Sequence, residues 1–179
     1  MNYILSTTHI HKYESLLKLK DGEKILLRPI EKSDRYLLVD FFNRMSPQSV
    51  YLRFLRRLNT LPQNIINQLL IVDYHSNFAL AAVAYENKED VIIAVGRYGY
   101  DPDENSTDLA VAVRDDWHQI GLGKIMLSKV VDIAKYHGIK SFTGMMDPKN
   151  NAIKKLLQKL GYKVKYSFDS GFYKVEITI

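Results

Sequence analysis

The stretch DLAVAVRDDWHQIGLGKIMLSKVVDIAKYHGIK, residues 108–140, decides the fold. It begins as an apolar run typical of a strand, passes Gly121 and Gly123, and continues as an amphipathic segment that ends at Gly138. A strand that leads through a glycine turn into a helix gathers unpaired backbone N–H groups and the positive end of the helix dipole at one point. The stretch therefore predicts an anion site at the start of the helix, with Lys124 beside it.

The spacing of the glycines excludes two common phosphate-binding loops. The dinucleotide motif G-x-G-x-x-G would need a third glycine where this chain has Met126. The Walker loop would need Ser or Thr after the Gly-Lys pair, and Ile125 stands there. The first glycine of a Walker loop is also missing, so neither motif explains the site.

The composition of the chain limits the classes of protein to which it can belong. The chain has 179 residues, 46% hydrophobic and 25% charged, which is typical of a globular protein with a single core. It has no cysteine, which excludes disulfides and a cysteine nucleophile, and its histidines lack metal-ligand spacing, so we expect no metal. The net charge of +5 favours anionic ligands. Without a signal peptide pattern or an apolar run long enough to span a bilayer, we expect a cytoplasmic protein that does not associate with membranes.

Periodicity predicts an α+β (mixed α/β) fold built on one sheet. The predicted order is one strand, three helices, three strands, a helix, a strand, a helix and a final hairpin. We expect an N-terminal arm over residues 1–23, as an extended arm or a short helix, and a single domain over residues 24–179.

Several stretches, taken in order, resemble the GNAT N-acetyltransferases, and in particular the GNAT domain of bacterial protein lysine acetyltransferases. The resemblance rests on LLRPIEKSD, FFNRMSPQSVYLRFL, IVDYHSNFALAAVA, IAVGRY, TDLAVAV, VAVRDDWHQIGLGKIML, GIKSFTGMM and NNAIKKLLQKLGYKV. It implies a mostly antiparallel central sheet, splayed in the middle, with helices on both faces. It also implies that the expected anion is the diphosphate of acetyl-CoA.

The resemblance assigns cofactor-binding roles to two groups of residues and to Asn150. The pantetheine arm of acetyl-CoA is expected to pair with the backbone near Val111, Ala112 and Val113, as an added strand does. The diphosphate is expected to meet the turn formed by His118, Gln119, Ile120, Gly121, Leu122, Gly123 and Lys124. Asn150 matches a family asparagine that contacts the cofactor arm, but its position equally predicts a helix N-cap, and both roles are compatible.

Asp108 is the candidate general base. Acetyl transfer needs a neutral amine, whereas a lysine ammonium has a pKa of about 10.4, so a base must remove a proton directly or through a water. The related lysine acetyltransferases carry Glu at this point, and the shorter Asp108 favours a relaying water. The alternative is a solvated carboxylate at the end of a strand. Leu157 stands where many GNAT enzymes place a tyrosine acid, so no acid is expected there.

The resemblance therefore implies an enzyme that transfers acetyl from acetyl-CoA directly to a primary amine, with a protein lysine as the expected acceptor. A small-molecule amine acetyltransferase and a non-catalytic acyl-CoA sensor remain alternatives. The basic stretch RFLRR, residues 53–57, fits a helix face beside the substrate groove better than a nucleic-acid surface. Monomer and homodimer both remain open.

Overall fold

A computed structural model describes residues 10–19 and 22–179, so residues 1–9, 20 and 21 of the predicted arm lie outside the described part. Within that part the chain forms eight strands and five α-helices. The strands are β1 (Ser15–Lys18), β2 (Lys24–Pro29), β3 (Asn77–Glu86), β4 (Glu89–Asp101), β5 (Ser106–Val113), β6 (Ser141–Met146), β7 (Lys163–Asp169) and β8 (Phe172–Thr178). The helices are α1 (Arg35–Asn43), α2 (Pro47–Phe54), α3 (Gln63–Leu69), α4 (Leu122–Tyr136) and α5 (Asn151–Leu160).

All the strands belong to one sheet, in the order β1-β2-β3-β4-β5-β6-β8-β7. Every neighbouring pair is antiparallel except β5 and β6, which run parallel. The predicted fold class, a mostly antiparallel sheet with helices on both faces, is confirmed.

Two hydrophobic cores lie on opposite faces of the sheet. Helices α1 to α3 cover the face that presents Ala81, Val83 and Ile92. Helices α4 and α5 cover the other face, where Met126 and Leu157 are buried. None of the helices in residues 10–19 and 22–179 has both the length and the apolar character that a membrane crossing requires.

Local sequence explains where the functionally important helices begin. Ser46 accepts a hydrogen bond from the Ser49 N–H, which caps α2, and Pro47 occupies the first helical position, where its missing N–H costs nothing. The amphipathic pattern predicted for α4 holds from Leu122 to Tyr136. Within the predicted arm, Ser15–Lys18 form the edge strand β1, which pairs with β2.

Candidate active site

A seam between β5 and β6 forms the centre of the candidate site. Only one residue pair, Asp108 with Thr143, bridges these two strands within the described part of the chain. A hydroxyl–hydroxyl hydrogen bond of 3.0 Å from Thr143 to Ser106 lies at the same level. Beyond this point the strands separate, which opens the sheet along the rest of β5.

The backbone of β5 presents hydrogen-bonding groups to the seam. The Arg114 N–H donates to the Ile93 carbonyl on the β4 side, at 2.9 Å. Successive residues of a strand direct their backbone groups to opposite sides, so Val111 and Val113 direct theirs toward β6. The Val113 carbonyl accepts a hydrogen bond from His118, whereas the Val113 N–H and the backbone groups of Val111 have no partner among the described residues. An extended ligand arm fits here, because unpaired strand groups accept an additional strand.

Ala112 is placed differently from its two neighbours. It pairs with Val95 in the β4–β5 ladder, so its backbone groups face β4, away from the seam. Its side chain lines a smaller cavity on the other face of the sheet. The structure therefore directs the backbone groups of Val111 and Val113 into the seam and those of Ala112 away from it.

A cavity of about 330 Å³ occupies the seam. Its walls come from the end of α2, from β5 and β6, and from the start of α5. Asp108 and Asn150 both line it. Leu157 is buried in the same wall.

Asp108 lies at one end of the cavity with its side chain exposed and without a hydrogen bond or ion pair to any described residue. Gly99 faces it across the β4–β5 ladder. A Cβ atom added at Gly99 would lie 3.0 Å from the Asp108 carboxylate, 3.0 Å from Arg97 Nη2 and 3.1 Å from Asn77 Oδ1. Three polar side chains therefore approach the same space above Gly99, and the missing Cβ leaves that space open.

The turn before α4 has the geometry of an anion site. Gln119 and Gly121 both adopt left-handed backbone conformations, with φ of 66° and 88°. Gly121 is the N-cap of α4, and no side chain caps the helix, so the N–H groups of Leu122 and Gly123 remain available to a ligand. The Lys124 N–H donates to the Gly121 carbonyl at 3.1 Å. The space around the Gly121 α-carbon is open. These features fit a diphosphate held by backbone amides at a helix N-terminus.

The side chains of the same turn point in several directions. His118 donates from Nε2 to the Val113 carbonyl at 2.9 Å, so its imidazole lies against β5. Leu122 is buried in the core, and only its backbone reaches the turn surface. Ile120 and Lys124 are exposed there.

Asn150 is the N-cap of α5, since its Oδ1 accepts from the Ile153 N–H at 3.3 Å. The side chain also borders the cavity. The N-cap contact is observed, and its contact with a cofactor stays a prediction.

Two acidic residues that sequence reasoning passed over hold the turn in place. Asp115 accepts hydrogen bonds from the Ser46 N–H and from the hydroxyls of Ser46 and Ser49, at 2.7 to 2.8 Å. Burial alone would raise the pKa of Asp115, but these hydrogen bonds outweigh it and hold the pKa below its usual value. Asp116 pairs with the buried Arg114, which also pairs with Glu86.

Comparison with known proteins identifies the class. The family described as the acetyltransferase (GNAT) domain matches residues 24–163. The chain therefore belongs to the GNAT acetyltransferase family, whose members take their acetyl group from acetyl-CoA.

Individual relatives and structures agree with this assignment. The chain is 28% identical over 144 residues to Acetyltransferase PA5475 of Pseudomonas aeruginosa, covering 80% of this chain and 77% of that protein. It is 25% identical over 147 residues to Acetyltransferase Pat of Mycolicibacterium smegmatis, covering 81% of this chain but only 43% of Pat. The GNAT domain of S. lividans PAT superposes with a TM-score of 0.83 at 26% identity, covering 94% of this chain and 98% of that one.

A more distant structure shares the fold alone. The protein yncA of Salmonella typhimurium, described as a putative acetyltransferase solved with its cofactor acetyl-CoA, superposes with a TM-score of 0.63 at 17% identity. The alignment covers 87% of this chain and 92% of that one.

Proposed function

We propose that this chain transfers the acetyl group of acetyl-CoA directly to the side-chain amine of a protein lysine, with Asp108 as the general base. The observation that carries the proposal is the position of Asp108. It is a carboxylate without a hydrogen-bond or ion-pair partner among the described residues. It lies at the one ladder pair that joins β5 to β6 in that part of the chain, beside the cavity that opens between the strands. The similarity to the GNAT domain of S. lividans PAT supports a protein acceptor.

The residues of the chain divide the work of binding. Backbone N–H groups of the turn from Gln119 to Lys124 hold the diphosphate, and the helix dipole of α4 adds favourable charge. Val111 and Val113 hold the extended arm in the seam. Asn150, at the opposite wall, is within reach of the same arm through its amide NH₂, since its Oδ1 is engaged by the helix cap.

Asp108 removes one proton from the acceptor ammonium, directly or through a water, and so frees the nitrogen lone pair. Acetyl-CoA, when bound, would supply a thioester carbonyl carbon that forms the new bond to nitrogen and a thiolate that leaves. The nitrogen would release its second proton to solvent as the amide forms. The Val111 N–H, directed into the seam, donates to the oxygen on which negative charge develops. With Leu157 in place of an acid, the chain donates no proton to the leaving sulfur, in keeping with the low basicity of a thiolate.

The test is Asp108→Asn, which keeps the shape of the side chain and removes its basicity. We expect turnover to fall by a factor of about 10² to 10⁴, the usual contribution of a general base. Calorimetry is expected to give unchanged affinity for acetyl-CoA, because the carboxylate does not contact the diphosphate turn. Asp103→Asn, on an exposed loop residue, is the matched control and should retain full turnover.

Two outcomes would contradict the proposal. Full turnover in Asp108→Asn would exclude Asp108 as the base. A wild-type chain that binds acetyl-CoA and modifies no lysine, scored by mass spectrometry of lysate proteins incubated with both, would instead identify an acyl-CoA sensor or a small-molecule enzyme.

A further inference from the structure

Two arginines near Asp108 lack the anionic partners that buried guanidinium groups normally have. Arg53, on α2, and Arg97, on β4, are both half-buried. Neither forms a hydrogen bond or an ion pair with any residue in 10–19 or 22–179. The Arg97 Nε atom is fully buried without a partner, and the Arg53 guanidinium rests 5.0 Å from the centre of the Phe54 ring. A buried N–H donor without an acceptor costs stability, so such a group is often completed by a ligand.

The two arginines face connected parts of the site. Both line the smaller cavity of about 30 Å³ beneath the α1–α3 layer. All the other residues that line this cavity are apolar. Arg53 also lines the larger seam cavity together with Asp108. Arg97 converges with Asp108 above Gly99. A group bound between the arginines would thus sit next to the proposed base, on the side from which helices α1 to α3 approach.

The local charges leave one positive charge in excess. Burial, and then the nearby positive charge of Arg97, lower the pKa of Arg53 to about 10, while Asp108 acts in the opposite direction. Arg53 therefore stays protonated at neutral pH. Two guanidinium groups face one carboxylate here, and that carboxylate pairs with neither of them at ion-pair distance. One additional anion would balance the cluster.

We propose that Arg53 and Arg97 bind a carboxylate of the acceptor, placed close to the amine that is acetylated. A guanidinium presents its N–H groups in a planar fork that matches a carboxylate, which makes arginine suited to this recognition. The inference rests on the proposed function and names its substrate class. The preferred acceptor is a lysine flanked by an acidic residue, because the carboxylate and the amine must reach adjoining parts of one groove.

Short peptides that differ only beside the lysine test the inference. Two sets carry the same central lysine, flanked by Glu in one and by Gln in the other, and kcat/KM is measured for each with acetyl-CoA. We expect the wild-type chain to prefer the Glu peptides by about tenfold or more. Arg53→Gln and Arg97→Gln should each reduce that preference toward unity. Arg56→Gln, which removes an exposed charge just beyond the end of the same helix, should keep it.

A second experiment tests whether the carboxylate comes from a side chain that flanks the lysine or from a free small molecule. Nα-acetyl-lysine is compared with its amide, which lacks the carboxylate. A preference for the free acid that both arginine variants lose, without reaction of any peptide, would keep the carboxylate subsite and overturn the protein acceptor.

The remaining outcomes are equally decisive. Equal kcat/KM for Glu and Gln peptides, or a Glu preference that survives both arginine substitutions, would overturn the subsite while leaving the proposed function intact. No reaction with any amine in either experiment would overturn the proposed function and the subsite with it. Because Arg97 is partly buried, the thermal midpoint of each variant is measured, and Arg53→Gln decides the question if Arg97→Gln does not fold.

Discussion

At the scale of single residues, Gly99 controls the geometry around the proposed base. Its missing Cβ leaves room for Asp108 and Arg97, both of which would lie 3.0 Å from a methyl group placed there. Contacts of that length require the neighbours to shift by a few tenths of an ångström. Both neighbours are the ends of side chains, which can move. We therefore expect the added methyl group to displace the carboxylate of Asp108 while it leaves the fold intact.

We therefore expect Gly99→Ala to reduce kcat/KM by about tenfold or more, since small displacements of a catalytic group are costly. The thermal midpoint should change little. Steady-state kinetics and a thermal melt check the two halves of this prediction. Loss of stability with proportionate loss of activity would show that Gly99 serves the sheet rather than the site.

Sequence reasoning proposed Asp108 as the general base and did not consider Arg97. Asp108 stood at the start of a recognisable strand, at a point where related enzymes carry an acid. Arg97 also left a signal, because it is a lone charge within the otherwise apolar run of β4. Its neighbours in space, Arg53 and Asn77, lie far away in the sequence, and no local pattern brings them together.

At the scale of elements, the turn before α4 depends on a contact with α2. Asp115 receives three hydrogen bonds from Ser46 and Ser49, two residues in the first turn region of that helix. This contact ties the proposed diphosphate turn to the helix that carries Arg53. A substitution that shifts the start of α2 is therefore expected to shift the turn as well.

We expect Asp115→Ala to lower the free energy of unfolding by about 1–3 kcal/mol, because the partly buried donors of Ser46 and Ser49 lose their acceptor. We also expect acetyl-CoA affinity to fall, because the turn loses its anchor. Urea titration and calorimetry measure the two effects. Asp132→Ala, at an exposed position of α4, should leave both values unchanged.

Most elements could be predicted from local pattern, and the exceptions have a physical cause. The stripe of Ile153, Leu156 and Leu160 on α5 follows helical spacing and packs on the sheet, as predicted. Strand β1 was not predicted, because Leu16 is 64% exposed there and the usual alternation of apolar and polar residues is absent. The placement of β8 between β6 and β7 depends on pairing between distant segments.

At the scale of the whole molecule, a cluster of aromatic and histidine side chains joins the N-terminal segment to the core. His137, at the end of α4, lies 2.7 Å from the Tyr13 hydroxyl and 2.5 Å from the Tyr98 hydroxyl. Tyr98 donates to the His75 carbonyl, so His137 Nδ1–H donates to Tyr98 and its Nε2 accepts from Tyr13. The network is complete when His137 is neutral.

The network makes stability depend on pH. Burial, and then the charges of His75 and Lys12, lower the pKa of His137 in the folded protein, while the His75 backbone and the charge of Asp73 act in the opposite direction. The unfolded chain therefore binds a proton more readily, and its imidazole titrates near pH 6.5. The stabilisation is complete above that pH, and we expect it to be lost as the pH falls through about 6.5 toward the folded pKa.

Urea unfolding at a series of pH values between about 7.5 and 5 measures this effect. His137→Gln should flatten the pH dependence of the free energy of unfolding over that range. His118→Gln, an exposed histidine at the other end of α4, should leave it in place. A slope that His137→Gln does not alter would assign the pH dependence to other groups.

The single bridge between Asp108 and Thr143 has a mechanical consequence. Strands β1 to β5 form one half of the sheet, and strands β6 to β8 form the other. Along most of the border between the halves, no backbone ladder of the described residues joins them, so the packed helices hold them together. The amide protons of Val111 and Val113 should then exchange with deuterated solvent far faster than those of β4. A ligand that lies along the border as an extra strand would slow that exchange and make the two halves of the sheet move as one rigid unit.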